Sequence, residues 1–269
     1  MRRISRIFTK QNRALLAELV RTDFKLRYQG SVLGYAWSLL RPLFLFAILY
    51  VVFTRVFTLG KDVPHYPVYL LLGIVVWNFF AEMTAQSLGS IVDRGDLIRK
   101  IRIPRWIIVL SASLSALISF LLNLIIVVVF IFINHVDLLK SGLWLPLILL
   151  EVYILALGAS LFLAAAFVKF RDIRYIWEVI MQGAFYLTPI IYPLSRIKSL
   201  AFQKILLLNP MAQAIQDARY STVTHQTSTV YKLFHGGWYE LTPFVLVGLI
   251  FVVGVLYFRK ESRYFAENI

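Results

Sequence analysis

Apolar residues fill most of this chain in long blocks, which short polar and basic stretches separate. Six blocks hold about 18 or more residues with few charges, the length that an α-helix needs to cross about 30 Å of hydrocarbon. They occupy approximately residues 34–57, 66–88, 107–133, 143–167, 175–192 and 241–258. The pattern predicts an all-α integral membrane protein with six transmembrane helices.

Residues 10–29, which precede the first span, have a helical period. One broad face carries Leu15, Leu16, Leu19, Val20, Phe24, Leu26 and Tyr28, and the other carries Glu18, Arg21, Thr22, Lys25 and Gln29. This pattern predicts an amphipathic helix along the membrane surface. Asp23 and Arg27 fall inside the apolar sector, four residues apart. They either pair with each other, or Arg27 meets an anionic lipid headgroup or a diphosphate.

The basic residues predict the orientation. With both termini on one side, that side holds 20 of the 28 Lys and Arg residues, and the net charge is +14. Because basic residues stay in cytoplasmic loops, both termini are predicted to be cytoplasmic in a multi-pass protein of the plasma (inner) membrane. The charge is therefore read as an orientation signal, and no nucleic-acid partner is expected.

Candidate chemistry is sparse. The chain has no GxxxxGK[ST] phosphate loop and no cysteine, and its four histidines are scattered, so neither ATP binding nor a metal site is expected. Three acids, Glu82, Glu151 and Glu178, lie within the spans. Such residues are either functional or held by interface contacts and hydrogen bonds between helices.

Two kinds of stripe run along the spans. Small or short polar residues recur every four positions at Ser111, Ser115, Ser119 and Asn123, and again at Ala156, Ser160 and Ala164. Close helix packing is the favoured interpretation, with a polar pore lining as the alternative. Aromatic residues share a face at Phe46, Tyr50, Phe53 and Phe57. They either face lipid or fill a core, or they line a channel in which flat rings stack against sugars.

Two further segments do not span. The stretch "RGDLIRKIRIPRW" at 94–106 is dense in basic residues, and residues 193–240 contain two short amphipathic runs hinged at Asn209-Pro210. The first lies on the predicted cytoplasmic side and the second on the outer side.

Five segments resemble, in order along the chain, the ABC-2 type permeases that export cell-surface polysaccharides. These are "DFKLRYQGSVLGYAWSLLRPLFLFAILYVVFTRVF", "LIRKIRIPR", "FVKFRDIRYIWEVIMQGAFYLTPIIYP", "LLNPM" and "FRKESRYFAENI". Related exporters of drugs and lipids share the architecture, so the substrate class depends mainly on the first and last segments.

The resemblance implies a non-enzymatic permease subunit. It would form a homodimer that binds two copies of a separate ABC ATPase, and ATP and Mg would sit on that partner, with no cofactor on this chain. It also implies a cytoplasmic N-terminus with the interface helix at 1–33, a six-span permease domain at 34–258 and a cytoplasmic tail at 259–269.

The same resemblance implies residue roles. A coupling helix would dock into the ATPase with Asp96, Leu97, Ile98, Arg99, Lys100, Ile101 and Arg102. A lipid diphosphate would enter near Arg27, Tyr28 and Ser31. The outer loop would hold short gate helices at 199–208 and 211–220, and Phe46, Tyr50, Phe53 and Phe57 would line the channel.

The implied function is export of a lipid-linked polysaccharide, carried on undecaprenyl diphosphate. The alternatives are an ABC-2 permease for a drug or a lipid and, in another class, a membrane transferase acting on polyprenyl phosphates. The transferase is disfavoured because no acidic or histidine cluster faces either predicted boundary.

Overall fold

The computed structural model describes residues 10–27, 31, 33–34, 36–56, 63–100, 103–137, 140–234 and 236–268. These residues form helices and connecting turns, with no β-strand among them. In chain order the helices are α1 Lys10–Arg27, α2 Ala36–Val51, α3 Tyr66–Ser90, α4 Gly95–Lys100, α5 Trp106–Ile133, α6 Leu145–Lys169, α7 Ile173–Leu187, α8 Leu200–Leu207, α9 Pro210–Thr222, α10 Val230–Phe234, α11 Thr242–Glu261 and α12 Phe265–Asn268.

Several helices have the length and composition to cross a membrane. Among the described residues these segments are Ala36–Val56, Tyr66–Ser90, Trp106–Ile133, Lys140–Lys169 and Trp238–Glu261. The first includes a π-helical turn that continues α2, and the fourth and fifth include short 3₁₀ turns before α6 and α11. The chain is thus a multi-pass membrane protein, and five of the six predicted spans meet the length criterion.

The fifth predicted span, 175–192, is shorter than expected. The helix in this region, α7, has 15 residues and ends at Leu187. Thr188 is extended because the ring of Pro189 disfavours a helical conformation at the preceding residue. At 1.5 Å per residue α7 rises about 22 Å, less than the thickness of the hydrocarbon layer.

Helix α3 lies at the centre of the bundle and packs against both α5 and α6. Most of its side chains are buried, including residues all around its circumference from Tyr66 to Met83. A helix that is apolar on every side is expected to be enclosed by other helices. Helices α2, α5, α6 and α7 therefore surround α3, whereas α11 packs against α6.

The predicted packing role of the polar stripe in α5 is confirmed. Ser111, Ser115, Ser119 and Asn123 are all buried. The Ser115 hydroxyl donates to the carbonyl of Ser111 at 2.9 Å, within the helix, and the Asn123 amide donates to the Ser38 carbonyl of α2 at 3.1 Å. The small side chains let α5 approach its neighbours closely, and the serine hydroxyls and the Asn123 amide nitrogen donate to backbone carbonyls.

The stripe on α6 is also buried, and Ser160 donates to the Met83 carbonyl of α3 at 3.3 Å. The tightest helix contact, however, lies on another face of α6. A Cβ at Gly158 would come within 2.5 Å of the Phe251 Cα, and one at Gly254 would meet the Gly158 carbonyl oxygen. Helices α6 and α11 therefore touch backbone to backbone.

On the predicted outer side, a buried arginine holds α9 to the rest of the protein. Arg219 is fully buried, and its guanidinium lies 3.6 Å from the centre of the Tyr69 ring. It donates to the carbonyls of Tyr69 at 3.0 Å and Pro189 at 2.6 Å, and also to the carbonyl of Ile190. A single side chain thus joins α9, α3 and the corner that follows α7.

Candidate functional site

A cavity of about 960 Å³ lies between α2, α3 and α7. Its side chains include a cation, two acids, three amides and two indoles, namely Arg41, Glu82, Glu178, Asn78, Gln86, Gln182, Trp37 and Trp177. Helix α2 contributes its first half, α7 its middle and α3 its second half, so the cavity lies toward the predicted cytoplasmic side. We call it the cytoplasmic cavity.

Residues spaced four apart supply the polar wall of this cavity. Asn78, Glu82 and Gln86 form one line along α3, and the Gln86 amide donates to the Glu82 carboxylate at 2.9 Å. Glu178 and Gln182 form a second line on α7. Residues at this spacing share one helix face, so the two lines face a common space. The result is an ordered array of hydrogen-bonding groups inside a largely apolar protein.

Two indoles flank this array. Trp177 is half-buried and donates from its ring nitrogen to the Thr84 hydroxyl at 3.1 Å, which fixes its orientation against α3. Trp37, near the start of α2, is 44% exposed. Flat apolar rings beside hydroxyl-binding amides and carboxylates are suited to a ligand with polar groups on its edges and C–H groups on its faces.

The predicted channel aromatics lie deeper, where they contact one another and α3. Phe46 is buried, with its ring 5.3 Å from that of Phe130 and 5.6 Å from that of Tyr50. The Tyr50 ring in turn stacks 6.4 Å from that of Tyr66. Phe53 is partly buried against the same core, and Phe57 lies outside the described residues. The rings have a packing role, and their role in a channel stays a prediction.

The predicted coupling segment forms the short helix α4. Asp96 and Arg99 are exposed and 3.5 Å apart, and Lys100 is exposed beside them. Ile98 faces inward and packs against the cluster that contains Phe258 and Phe265. Leu97 is half-buried, and Ile101 and Arg102 lie outside the described residues. The outward surface of α4 is therefore mostly charged, since part of the apolar face packs within the protein.

A buried ion pair connects the turn before α4 to α1. The Arg94 guanidinium pairs with the Asp23 carboxylate, and it donates to the Ser111 hydroxyl of α5 at 2.9 Å. About a fifth of each charged side chain is exposed, and burial lowers the pKa of Arg94. Sequence reasoning offered Arg27 as one possible partner of Asp23, and the Arg27 side chain lies outside the described residues; among those described, Asp23 pairs with Arg94, 71 positions away. We call Asp23, Arg94 and Ser111 the α1–α4 link.

The predicted lipid-entry residues are only partly described. Helix α1 ends at Arg27, whose side chain is outside the described residues, as is Tyr28. Ser31 is exposed, and its hydroxyl accepts a hydrogen bond from the Gly34 backbone at 3.3 Å. The apolar face of α1, including Leu15 and Leu19, is half-buried, and the helix packs against α5. Its location at the membrane surface stays a prediction.

Comparison with known families decides the class of the protein. The model of the ABC-2 type transporter family matches residues 14–223, which is most of the chain and includes every element of the cytoplasmic cavity. The chain belongs to the ABC-2 transporter family. Members of this family are transport subunits, so the hydrogen-bonding array of this ABC-2 protein is interpreted as a binding surface.

Curated relatives cover nearly the whole ABC-2 chain. An O-antigen export system permease protein RfbA of Klebsiella pneumoniae is 32% identical over 258 residues, which cover 94% of each chain. The RfbA protein of Myxococcus xanthus is 31% identical over 75% of this chain and 77% of its own. The polysialic acid transport protein KpsM of Escherichia coli is 23% identical, with 89% and 91% covered.

Sequence reasoning placed Glu82 and Glu178 within the spans but missed the site that they share in this ABC-2 protein. The four-residue spacing of Asn78, Glu82 and Gln86, inside a span that is otherwise apolar, is the signal that could have found it. The two indoles carried no comparable signal, because single tryptophans near span ends are common as interfacial anchors.

Proposed function

We propose that this protein is the permease subunit of an ABC exporter that moves a lipid-linked polysaccharide across the plasma (inner) membrane. The carrier would be undecaprenyl diphosphate, and ATP hydrolysis would take place on a separate subunit. The observation that carries the proposal is the similarity, at about 30% identity over 94% of the chain, to permeases whose names specify O-antigen export. The chemistry of the cytoplasmic cavity supports the same class of substrate.

A glycan fits the cytoplasmic cavity better than an apolar drug does. Sugars present many hydroxyl groups, which amides and carboxylates bind, and flat C–H faces, which indoles cover. The array formed by Asn78, Gln86 and Gln182 with the two tryptophans offers both. A purely apolar ligand would remove Asn78 and Gln182 from water without offering them a hydrogen-bond partner, at a cost of about 1–3 kcal/mol for each group.

The complete passage requires a second copy of the chain. All residues of α7 are described and none is buried, and apolar side chains on it such as Tyr175, Val179 and Tyr186 are each 69% exposed. The same helix forms one wall of the cytoplasmic cavity. In the proposed homodimer, two α7 helices face each other, and two cytoplasmic cavities form one passage.

The ATPase would act through α4. Its charged outer surface, with Asp96, Arg99 and Lys100, would dock into the partner subunit, and the α1–α4 link would carry the displacement to α1. Helix α1 ends at Arg27, where the diphosphate of the substrate is proposed to enter. On the outer side, α8 and α9 would form the gate, with Arg219 holding α9 in place.

Blocking the cytoplasmic cavity tests the function. Deletion of the gene in its own host should remove the glycan from the cell surface and accumulate the lipid-linked glycan inside, and the wild-type gene should restore both. Ala85 is exposed in the cavity wall, so Ala85→Trp should narrow the passage. The added indole would overfill the cavity when the glycan passes, and we expect this to raise the free-energy barrier to passage by about 1–3 kcal/mol. The rate of export should therefore fall on the order of tenfold.

Val253→Trp is the matched control, since Val253 is 46% exposed on α11, away from the cavity. It should support wild-type export. Surface glycan that is unchanged by the deletion would reject polysaccharide export and favour a drug or lipid exporter. If both tryptophan variants lose export, the loss would come from adding a bulky side chain at any position and not from blocking the cytoplasmic cavity.

Reporter fusions test the proposed six spans. A reporter fused after Asp172, before α7, should read cytoplasmic, and one fused after Gln226, beyond α9, should read extracytoplasmic. The expectation rests on the distribution of basic residues and requires α7 to cross despite its length. A cytoplasmic reading at Gln226 would leave α7 as a re-entrant helix and would remove the gate role of α8 and α9.

A further inference from the structure

A second cavity, of about 1010 Å³, lies between the beginnings of α6 and α11, below α9 and α10. None of its lining residues comes from α2, α3 or α7, so it is separate from the cytoplasmic cavity. The first turns of α6 and α11 lie at the predicted outer surface, and we call this space the outer cavity. Nothing in the proposed glycan passage uses it.

The outer cavity opens sideways toward the lipid. Leu147 and Leu150 of α6 line it and are 58% and 51% exposed, and Phe244 of α11 lines it and is 47% exposed. Exposed apolar side chains on membrane-spanning helices face either hydrocarbon or another helix, and the proposed homodimer covers α7, which leaves these side chains of α6 and α11 to the lipid. Trp144, also in the lining, stands at the end of the span, where interfacial tryptophans are found. An apolar chain can therefore enter from the outer leaflet.

The inner end of the outer cavity holds two acidic side chains. Glu151 and Asp217 both line it, and the Gln213 amide donates to Asp217 at 2.6 Å. One carboxylate oxygen of Glu151 is buried and accepts no hydrogen bond from any residue that the structure describes. A buried acceptor of this kind is costly unless a ligand supplies a donor.

A cation lies in the same lining. The Lys232 ammonium is 4.6 Å from the centre of the Tyr220 ring and donates to backbone carbonyls of His225 and Thr227. These contacts leave its charge without a carboxylate partner among the described residues. An apolar flank, two acids and a lysine thus share one cavity.

We propose that the outer cavity binds a zwitterionic phospholipid with a primary ammonium group. The ammonium group donates to Glu151 and Asp217, the phosphate meets Lys232, and an acyl chain lies along Leu147, Leu150 and Phe244. An anionic lipid would place its charge near two acids, and a wholly apolar ligand would leave the buried oxygen of Glu151 without a donor. The bound lipid fills the space between α6, α11 and the outer helices, and so stabilises their packing.

Lipid dependence of thermal unfolding tests the proposal. The purified full-length protein is placed in nanodiscs of phosphatidylcholine that contain phosphatidylethanolamine or phosphatidylglycerol. Phosphatidylethanolamine should raise the unfolding temperature in a saturable way, and phosphatidylglycerol should not. Glu151→Gln should weaken the apparent affinity on the order of tenfold, because a neutral amide oxygen accepts a weaker hydrogen bond from an ammonium group than a carboxylate does.

Two variants separate binding from folding. Glu178→Gln changes an acid of the cytoplasmic cavity and should leave the lipid response intact. Leu150→Trp fills the apolar side of the outer cavity and should abolish the response to phosphatidylethanolamine, while unfolding in phosphatidylcholine alone stays near that of the wild type. An equal response to both added lipids, an absent response, or an undiminished response in Glu151→Gln would each overturn the proposal.

Discussion

Replacing Arg94 with Gln should stop export while the ATPase subunit stays bound and continues to hydrolyse ATP. Arg94 is the centre of the α1–α4 link, since it contacts both Asp23 and Ser111 and immediately precedes α4. Removing one partner of a largely buried ion pair lowers the free energy of unfolding on the order of 3 kcal/mol, because the other partner, here the Asp23 carboxylate, keeps its charge without a counter-charge. Movement of α4 would then no longer reach α1. Export, co-purification of the ATPase and ATP hydrolysis are the measurements.

Arg99 offers the comparison, because its pair with Asp96 is exposed and such pairs contribute at most about 1 kcal/mol. The double change Arg99→Glu with Lys100→Glu should release the ATPase and leave the unfolding temperature of the permease unchanged. The exchanged pair Asp23→Arg with Arg94→Asp should recover part of the lost export. If Arg94→Gln also releases the ATPase, Arg94 is needed to dock the ATPase and does not act by passing the movement of α4 to α1.

Placing a methyl group at Gly73 should destabilise the protein, although Gly→Ala in a helix is ordinarily favourable by about 1 kcal/mol. The new Cβ would collide with the Arg219 guanidinium, which is buried and held by three backbone carbonyls. The guanidinium cannot move away without leaving those carbonyls unsatisfied. We expect a loss of about 3 kcal/mol, or roughly 10 °C in the unfolding temperature of the detergent-solubilised protein.

Gly248→Ala is the control, since Gly248 lies in α11 and a Cβ there would meet nothing within 4 Å. This substitution should leave the unfolding temperature unchanged or raise it. Arg219→Met should lower it at least as far as Gly73→Ala, because it leaves the same carbonyls without a donor. A stable Gly73→Ala protein would mean that α9 is held chiefly by its apolar contacts.

Patterns within one segment of the sequence predicted the features that depend on that segment alone. The long apolar spans follow from hydropathy, and the four-residue stripe from Ser111 to Asn123 follows from helical spacing. The end of α7 was also readable, because Pro189 restricts the residue before it, but the span was extended through this proline. The shorter length of α7 could therefore have been predicted from the position of Pro189.

Contacts between distant segments could not be read in the same way. Asp23 had a plausible partner four residues away, and nothing in the sequence marked Arg94 as its partner. The same holds for the cytoplasmic cavity, whose indoles come from α2 and α7, and for Arg219, which sequence reasoning counted only as an outer basic residue. Such pairings depend on the three-dimensional arrangement of the helices, which spacing along one helix does not specify.

The contact between Gly158 and Gly254 limits which parts of the permease can move during a transport cycle. Because the two backbones touch, any axial sliding of α6 past α11 would drive the side chains on either side of these glycines into the opposing backbone. The two helices therefore behave as one rigid body, and shear motion between them is excluded. In the proposed homodimer, we therefore expect ATP-driven change to tilt α2 and α7 against this fixed pair, which would widen the proposed passage between protomers and leave the lipid-facing side unchanged.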